Sequence, residues 1–83
     1  MGKLKDMLSG QRTYKIGMVL EPKGNESVLT IIGFGHPSYI EPKYKCLNND
    51  DKSIRLYGEN RLERYYDFKG KYNKMIRVLY AKA

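Results

Sequence analysis

Apolar and polar positions alternate with a period of two along most of the chain, the pattern of β-strands with one buried face. Tyr14, Ile16 and Met18 alternate with Thr13, Lys15 and Gly17 ahead of Val19-Leu20, which predicts a first strand. Pro22-Lys23-Gly24-Asn25 ends it, because Pro fixes φ while Gly and Asn accept positive φ. Ser27 to Phe34 is β-branched and apolar on both faces, as a central strand requires, with a bend expected near Gly33 and Gly35. After the His36-Pro37-Ser38 break, Tyr39 to Leu47 alternates again, with Ile40, Tyr44 and Cys46 on one face and a kink or edge position at Pro42. Asn48 to Lys52 reads as a five-residue hairpin loop, and Ser53 to Tyr57 as the next strand with Ile54 and Leu56 pointing inward.

The two ends carry different signals. Leu4, Met7 and Leu8 have helical spacing before Ser9-Gly10, predicting a short helix over residues 2–9. Asn60 with Glu63 three residues later resembles a capping box, so a helical turn is expected over residues 61–66. Asp67, Gly70 and Asn73 interrupt it, and Ile76, Val78 and Tyr80 alternate in an expected last strand from Lys74 to Lys82. The parities place Ile16, Val28, Ile31, Ile40, Tyr44, Ile54, Leu56, Leu62 and Val78 in the core.

Five short strands with a helical turn before the fifth predict a mainly β fold, a small five-stranded antiparallel barrel. In its layout the chain resembles SH3-like barrels. Ile16-Gly17-Met18-Val19, the bent strand Val28 to Gly35, the hairpin Tyr44 to Tyr57 and the turn Gly58-Glu59-Asn60-Arg61-Leu62 carry the likeness, which covers residues 12–82 and includes no diagnostic motif. The resemblance implies a small nucleic-acid- or peptide-binding module. With no Trp in the chain, recognition of proline-rich peptides through a Trp-lined groove is not expected. The alternative fold is an α+β meander with a helix on one face. Either way one domain spans residues 1–83, with 1–10 as N-terminal helix or arm and 11–83 as the β core.

Composition sharpens this picture in two ways. A net charge of +7 on 83 residues sets up a field that attracts polyanions. The excess is steepest toward the C-terminus, where Arg61, Arg64, Lys69, Lys71, Lys74, Arg77 and Lys82 face only Glu63 and Asp67. Cys46 is the single cysteine, which precludes an internal disulfide and fits a reducing, cytoplasmic setting. Val28 to Phe34 is far short of the roughly 20 apolar residues of a membrane span, so no membrane association is expected. Lys3 and Lys5 precede Asp6 and Ser9 with no apolar stretch of the kind a secretory signal needs.

Catalytic chemistry finds no support in the residues. His36 has no Ser or Cys partner at motif spacing, and Asp50-Asp51 sits among Asn48 and Asn49 as ordinary loop chemistry rather than a cation loop. Glu59, Glu63 and Asp67 are interleaved with Arg61 and Arg64, an ion-pair pattern. The expectation is a non-enzymatic protein without metal or cofactor.

The more informative constellation is in the hairpin. A five-residue loop from Asn48 to Lys52 sets Cys46 opposite Ile54 and Tyr44 opposite Leu56, and puts Lys45 opposite Arg55 and Lys43 opposite Tyr57 on the outer face. Like charges across a ladder repel, and a phosphate chain between them relieves the repulsion. Lys43, Lys45, Arg55, Tyr57, Arg61 and Arg64 are therefore the candidate nucleic-acid-binding residues, with DNA or RNA as partner and Tyr39 or Tyr65 as further stacking groups. The alternative is a protein-interaction module, such as a phage or mobile-element regulator that docks on an acidic protein surface.

Overall fold

The computed structural model describes residues 13–36 and 40–76. Its strands are β1 (Met18–Pro22), β2 (Leu29–Phe34), β3 (Lys43–Asn48), β4 (Ile54–Gly58) and β5 (Tyr66–Tyr72), with helix α1 (Glu59–Tyr65) between the last two. They form one five-stranded antiparallel sheet in the order β4-β3-β2-β1-β5. The mainly β expectation, with a helical segment before the last strand, is thus met.

β2 lies in the middle of the sheet, and Leu29, Thr30, Ile31 and Ile32 are all buried, as a strand apolar on both faces must be. Its expected bend is a register shift between Ile31 and Gly33 against β3. The core gathers Met18 and Leu20, Leu29 and Ile31, and Tyr44 and Cys46 from one face of the sheet, together with Tyr14, Leu62 and Tyr66.

The edge strands β4 and β5 are joined by α1 alone, and seven helical residues span only about 10 Å. The sheet must therefore curl to bring its two edges that near. It does not close, however: no β4–β5 ladder forms among the described residues, so the expected barrel closure is replaced by an open edge bridged by α1.

The last strand also stands earlier than expected. Residues 66–72 pair with β1, while residues 74–76 are helical and are capped by Asn73, whose Oδ1 accepts the Ile76 N–H at 3.0 Å. Gly70 makes this placement possible. β1 advances from Met18 to Leu20 while β5 covers Phe68 to Tyr72, and the extra residues bulge at Gly70, whose φ of 88° favours glycine. Glu21 anchors the strand from β1, its carboxylate 3.2 Å from Lys71 and 3.6 Å from Lys69; the hydrogen bond from Lys71 holds that carboxyl below its usual range.

Of the expected core, Ile31, Tyr44 and Leu62 are buried, and Ile16 and Val28 are half-buried. Ile40 is 99% exposed, because it precedes Pro42 and β3 begins only at Lys43. Ile54 and Leu56 are 51% and 49% exposed, against expectation. The cause is a one-residue difference in the hairpin loop. Asn48 N–H donates to the Ser53 carbonyl and Lys52 N–H to the Asn48 carbonyl, which leaves a four-residue loop with Lys52 in the left-handed region at φ 64°. Leu47 then faces Ile54, and every side chain of β4 turns to the opposite face. The expected helix at residues 2–9, the remainder of the Lys74 to Lys82 strand, Tyr39 and Val78 lie outside the described residues.

Candidate nucleic-acid interface

Helix α1 begins directly after β4, so Gly58 serves as its N-cap and offers no side chain to the free N–H groups. Glu41 supplies the missing acceptor from across the fold: its Oε2 takes the Asn60 N–H at 2.7 Å, and the Pro42 carbonyl takes the Glu59 N–H at 2.9 Å. A Cβ at Gly58 would stand 2.6 Å from Glu41 Oε1, so a larger residue there would shift that carboxylate from its present place at the helix. The expected Asn60/Glu63 capping box is replaced by this remote cap, since Asn60 already lies inside the helix.

Beneath the first turn, the buried Tyr44 hydroxyl donates to Glu59 Oε1 at 2.5 Å and accepts the Tyr14 N–H at 3.4 Å. Leu62 is fully buried. With Glu59 tied to Tyr44 and Leu62 set in the core, the helix cannot rotate, and Arg61, Arg64 and Tyr65 are left on its exposed side. Their i, i+3, i+4 spacing makes them one contiguous surface. The Arg61 guanidinium lies 5.4 Å from the centre of the Tyr57 ring, and Tyr57 in turn meets Tyr66 edge-to-face at 6.4 Å.

These groups border an open cleft of about 1170 Å³ whose walls include Lys43, Arg61, Arg64, Tyr65 and Tyr66, and also Glu26, Glu41 and Glu63. The wall holds three cations, Lys43, Arg61 and Arg64, and three carboxylates, of which Glu41 is held at the start of the helix by the Asn60 N–H. The cleft thus carries cations beside exposed aromatic surface, the combination that a phosphate chain with unstacked bases engages.

The structure divides the six candidate residues. Lys43, Tyr57, Arg61 and Arg64 meet at or beside this cleft. Lys45 and Arg55 do not face each other: Lys45 pairs with Leu56, Arg55 with Cys46, Tyr57 with Tyr44 and Lys43 with Gly58. The outward row Lys43-Lys45-Arg55-Tyr57 is therefore corrected. Lys45 stands on the outer face, Arg55 and Tyr57 have the parity of the core face, and Tyr57 is packed against the core rather than projecting as a platform. Tyr65, expected as a further stacking group, is 44% exposed, one residue after Arg64.

Other candidate groups have structural duties. Asn48 Oδ1 accepts the N–H of Asp50 and Asp51, and Asp51 Oδ1 accepts both the Ser53 N–H and hydroxyl, which hold the Asp51 carboxyl below its usual range. Cys46 is buried, and burial pushes its thiol up to about 12, far from a reactive thiolate. Among the described residues no group of His, Cys, Asp and Glu is arranged to hold a metal ion, and no helix is long and apolar enough to cross a membrane. Comparison with protein-family models, with curated proteins and with solved structures finds no match to this chain.

Proposed function

We propose that this protein is a non-catalytic nucleic-acid-binding domain on an SH3-like curled sheet, which grips single-stranded DNA or RNA along the exposed side of α1. The SH3-like reading is supported by β5 lying against β1 and by the helical turn between β4 and β5. The observation that carries the functional reading is the single surface formed by Arg61, Arg64 and Tyr65 next to the Arg61-Tyr57 stack, on a molecule of net charge +7. Arg61, Arg64 and Lys43 contact phosphates, and Tyr65 stacks on a base or sugar. The long-range field raises the encounter rate with any polyanion, and the helix face supplies the local grip.

The test is fluorescence anisotropy of a labelled single-stranded oligonucleotide titrated with the protein at several salt concentrations. Arg61→Gln combined with Arg64→Gln is expected to flatten the slope of log affinity against log salt by about 1.4, at roughly 0.7 per lost phosphate contact. Tyr65→Ala is expected to weaken binding by about 1 to 3 kcal/mol and leave the slope unchanged. A double Arg variant with the parental slope would refute this face as the site.

A further inference from the structure

The opposite face of the sheet holds a second, chemically different feature. A groove of about 630 Å³ runs over β2, β3 and β4, floored by Ile16, Ile32, Ile54 and Leu56. Among the described residues Lys45 stands on this face of the sheet by register, Arg55 borders the groove from the open edge at β4 although its register parity is that of the core face, and no carboxylate joins them. Ile54 and Leu56 are half-exposed on an edge strand, where charged side chains ordinarily guard against unwanted pairing. Two large aliphatic groups left there, rimmed by cations, have the make-up of an interaction surface.

We propose that this groove docks an acidic amphipathic helix of a partner protein. Charge complementarity selects the occupant: apolar side chains settle on Ile16, Ile32, Ile54 and Leu56, while carboxylates on the flanks of the helix reach Lys45 and Arg55. The width selects a helix. Three neighbouring strands, about 4.8 Å apart, make a floor about 10 Å wide, the diameter of a helix with its side chains. The groove is distinct from the cleft beside α1, so the chain can hold a nucleic acid on one side and a protein on the other, and this inference does not depend on the nucleic-acid reading.

The probe is a fluorescein-labelled synthetic peptide with Leu at i, i+3, i+4 and i+7 and Glu on the flanking positions, titrated with the full chain. Binding is expected to weaken at least about tenfold for Ile54→Ser combined with Leu56→Ser, and at least about tenfold for a scrambled peptide of the same composition. Lys45→Glu, which leaves the apolar floor intact, is expected to weaken it several-fold and to reduce its salt dependence. A saturating single-stranded oligonucleotide should not displace the peptide. Absence of binding by the parent, equal binding of the scrambled peptide, or equal binding by both groove variants would overturn the proposal. So would a parental dimer in sedimentation that the double Ser variant abolishes, which would assign the groove to a second copy of the chain. Ready formation of an intrachain disulfide in a Leu8→Cys/Leu56→Cys variant would likewise overturn it, by assigning the groove to the chain's own N-terminal segment.

Discussion

Replacing Ile31 by Ala is expected to lower the free energy of unfolding by about 2 to 5 kcal/mol, whereas Leu56→Ala should cost less than about 1 kcal/mol. The two residues have similar size and both lie on strands. Ile31 is fully buried on the central strand, so its truncation leaves a cavity that neighbours on β1 and β3 cannot close. Leu56 is 49% exposed on the edge strand, and its removal mostly returns surface to a solvent it already touches. For a chain of 83 residues the first change takes a large part of the total stability, since small domains have thin margins. Urea midpoints measured on both variants check this. Equal losses would mean that Leu56 is packed as deeply as Ile31 and that the hairpin register is the five-residue-loop register after all.

Alkaline solution is expected to unfold the protein well before its lysines alone would account for the change. Cys46 sits fully buried, and burial raises its thiol from an ordinary 9.0 to about 12. The folded state therefore keeps the proton that the unfolded chain loses first. The stability this group contributes is fully present below pH 9 and drains away as pH rises toward 12, by about 4 kcal/mol in all at roughly 1.4 kcal/mol per pH unit. Tyr14, pushed up to about 12 chiefly by burial, adds to the loss above pH 10, and Tyr66 shifts in the same direction for the same reason. Unfolding free energies measured by urea from pH 7 upward should fall with a slope that begins near pH 9. In Cys46→Val, close in volume and without a proton to lose, the decline should begin about one pH unit later, with the tyrosines. Identical pH profiles for parent and variant would contradict the assignment.

The apolar pattern placed β2 and the later part of β3, but for the first strand it caught only the end: residues 13–17, where the alternation was clearest, lie outside β1, which runs from Met18 to Pro22 and includes the proline expected to end it. Parity on β4 was not legible. A loop of four residues and a loop of five are both compatible with Asn48 to Lys52, and the difference rests on Lys52 adopting a left-handed conformation, which the sequence does not announce for a lysine. That one residue decided whether Ile54 and Leu56 or Arg55 and Tyr57 turned toward the core. β5 did leave a trace, since Tyr66, Phe68 and Tyr72 alternate with Asp67, Lys69 and Lys71, but Gly70 interrupts the apolar side and reads as a breaker until its role in a bulge is seen. The candidate site divides along the same line. Arg61, Arg64 and Tyr65 were all legible, because Leu62 was already assigned to the core and the three fall on the other side of the same helical turn. Glu41 was beyond reach, because its partner Asn60 lies 19 residues away and only the fold brings them together.

The proposed lie of nucleic acid along the exposed side of α1 is tested by an amide chemical-shift map of the full chain titrated with a single-stranded oligonucleotide at low salt. The shifts are expected to concentrate on residues 57–66 and Lys43, around Arg61, Arg64 and Tyr65, with Lys45, Ile54 and Leu56 little changed. Shifts centred on Lys45 and the outer face of β4, or a spectrum that does not respond to the oligonucleotide, would contradict it.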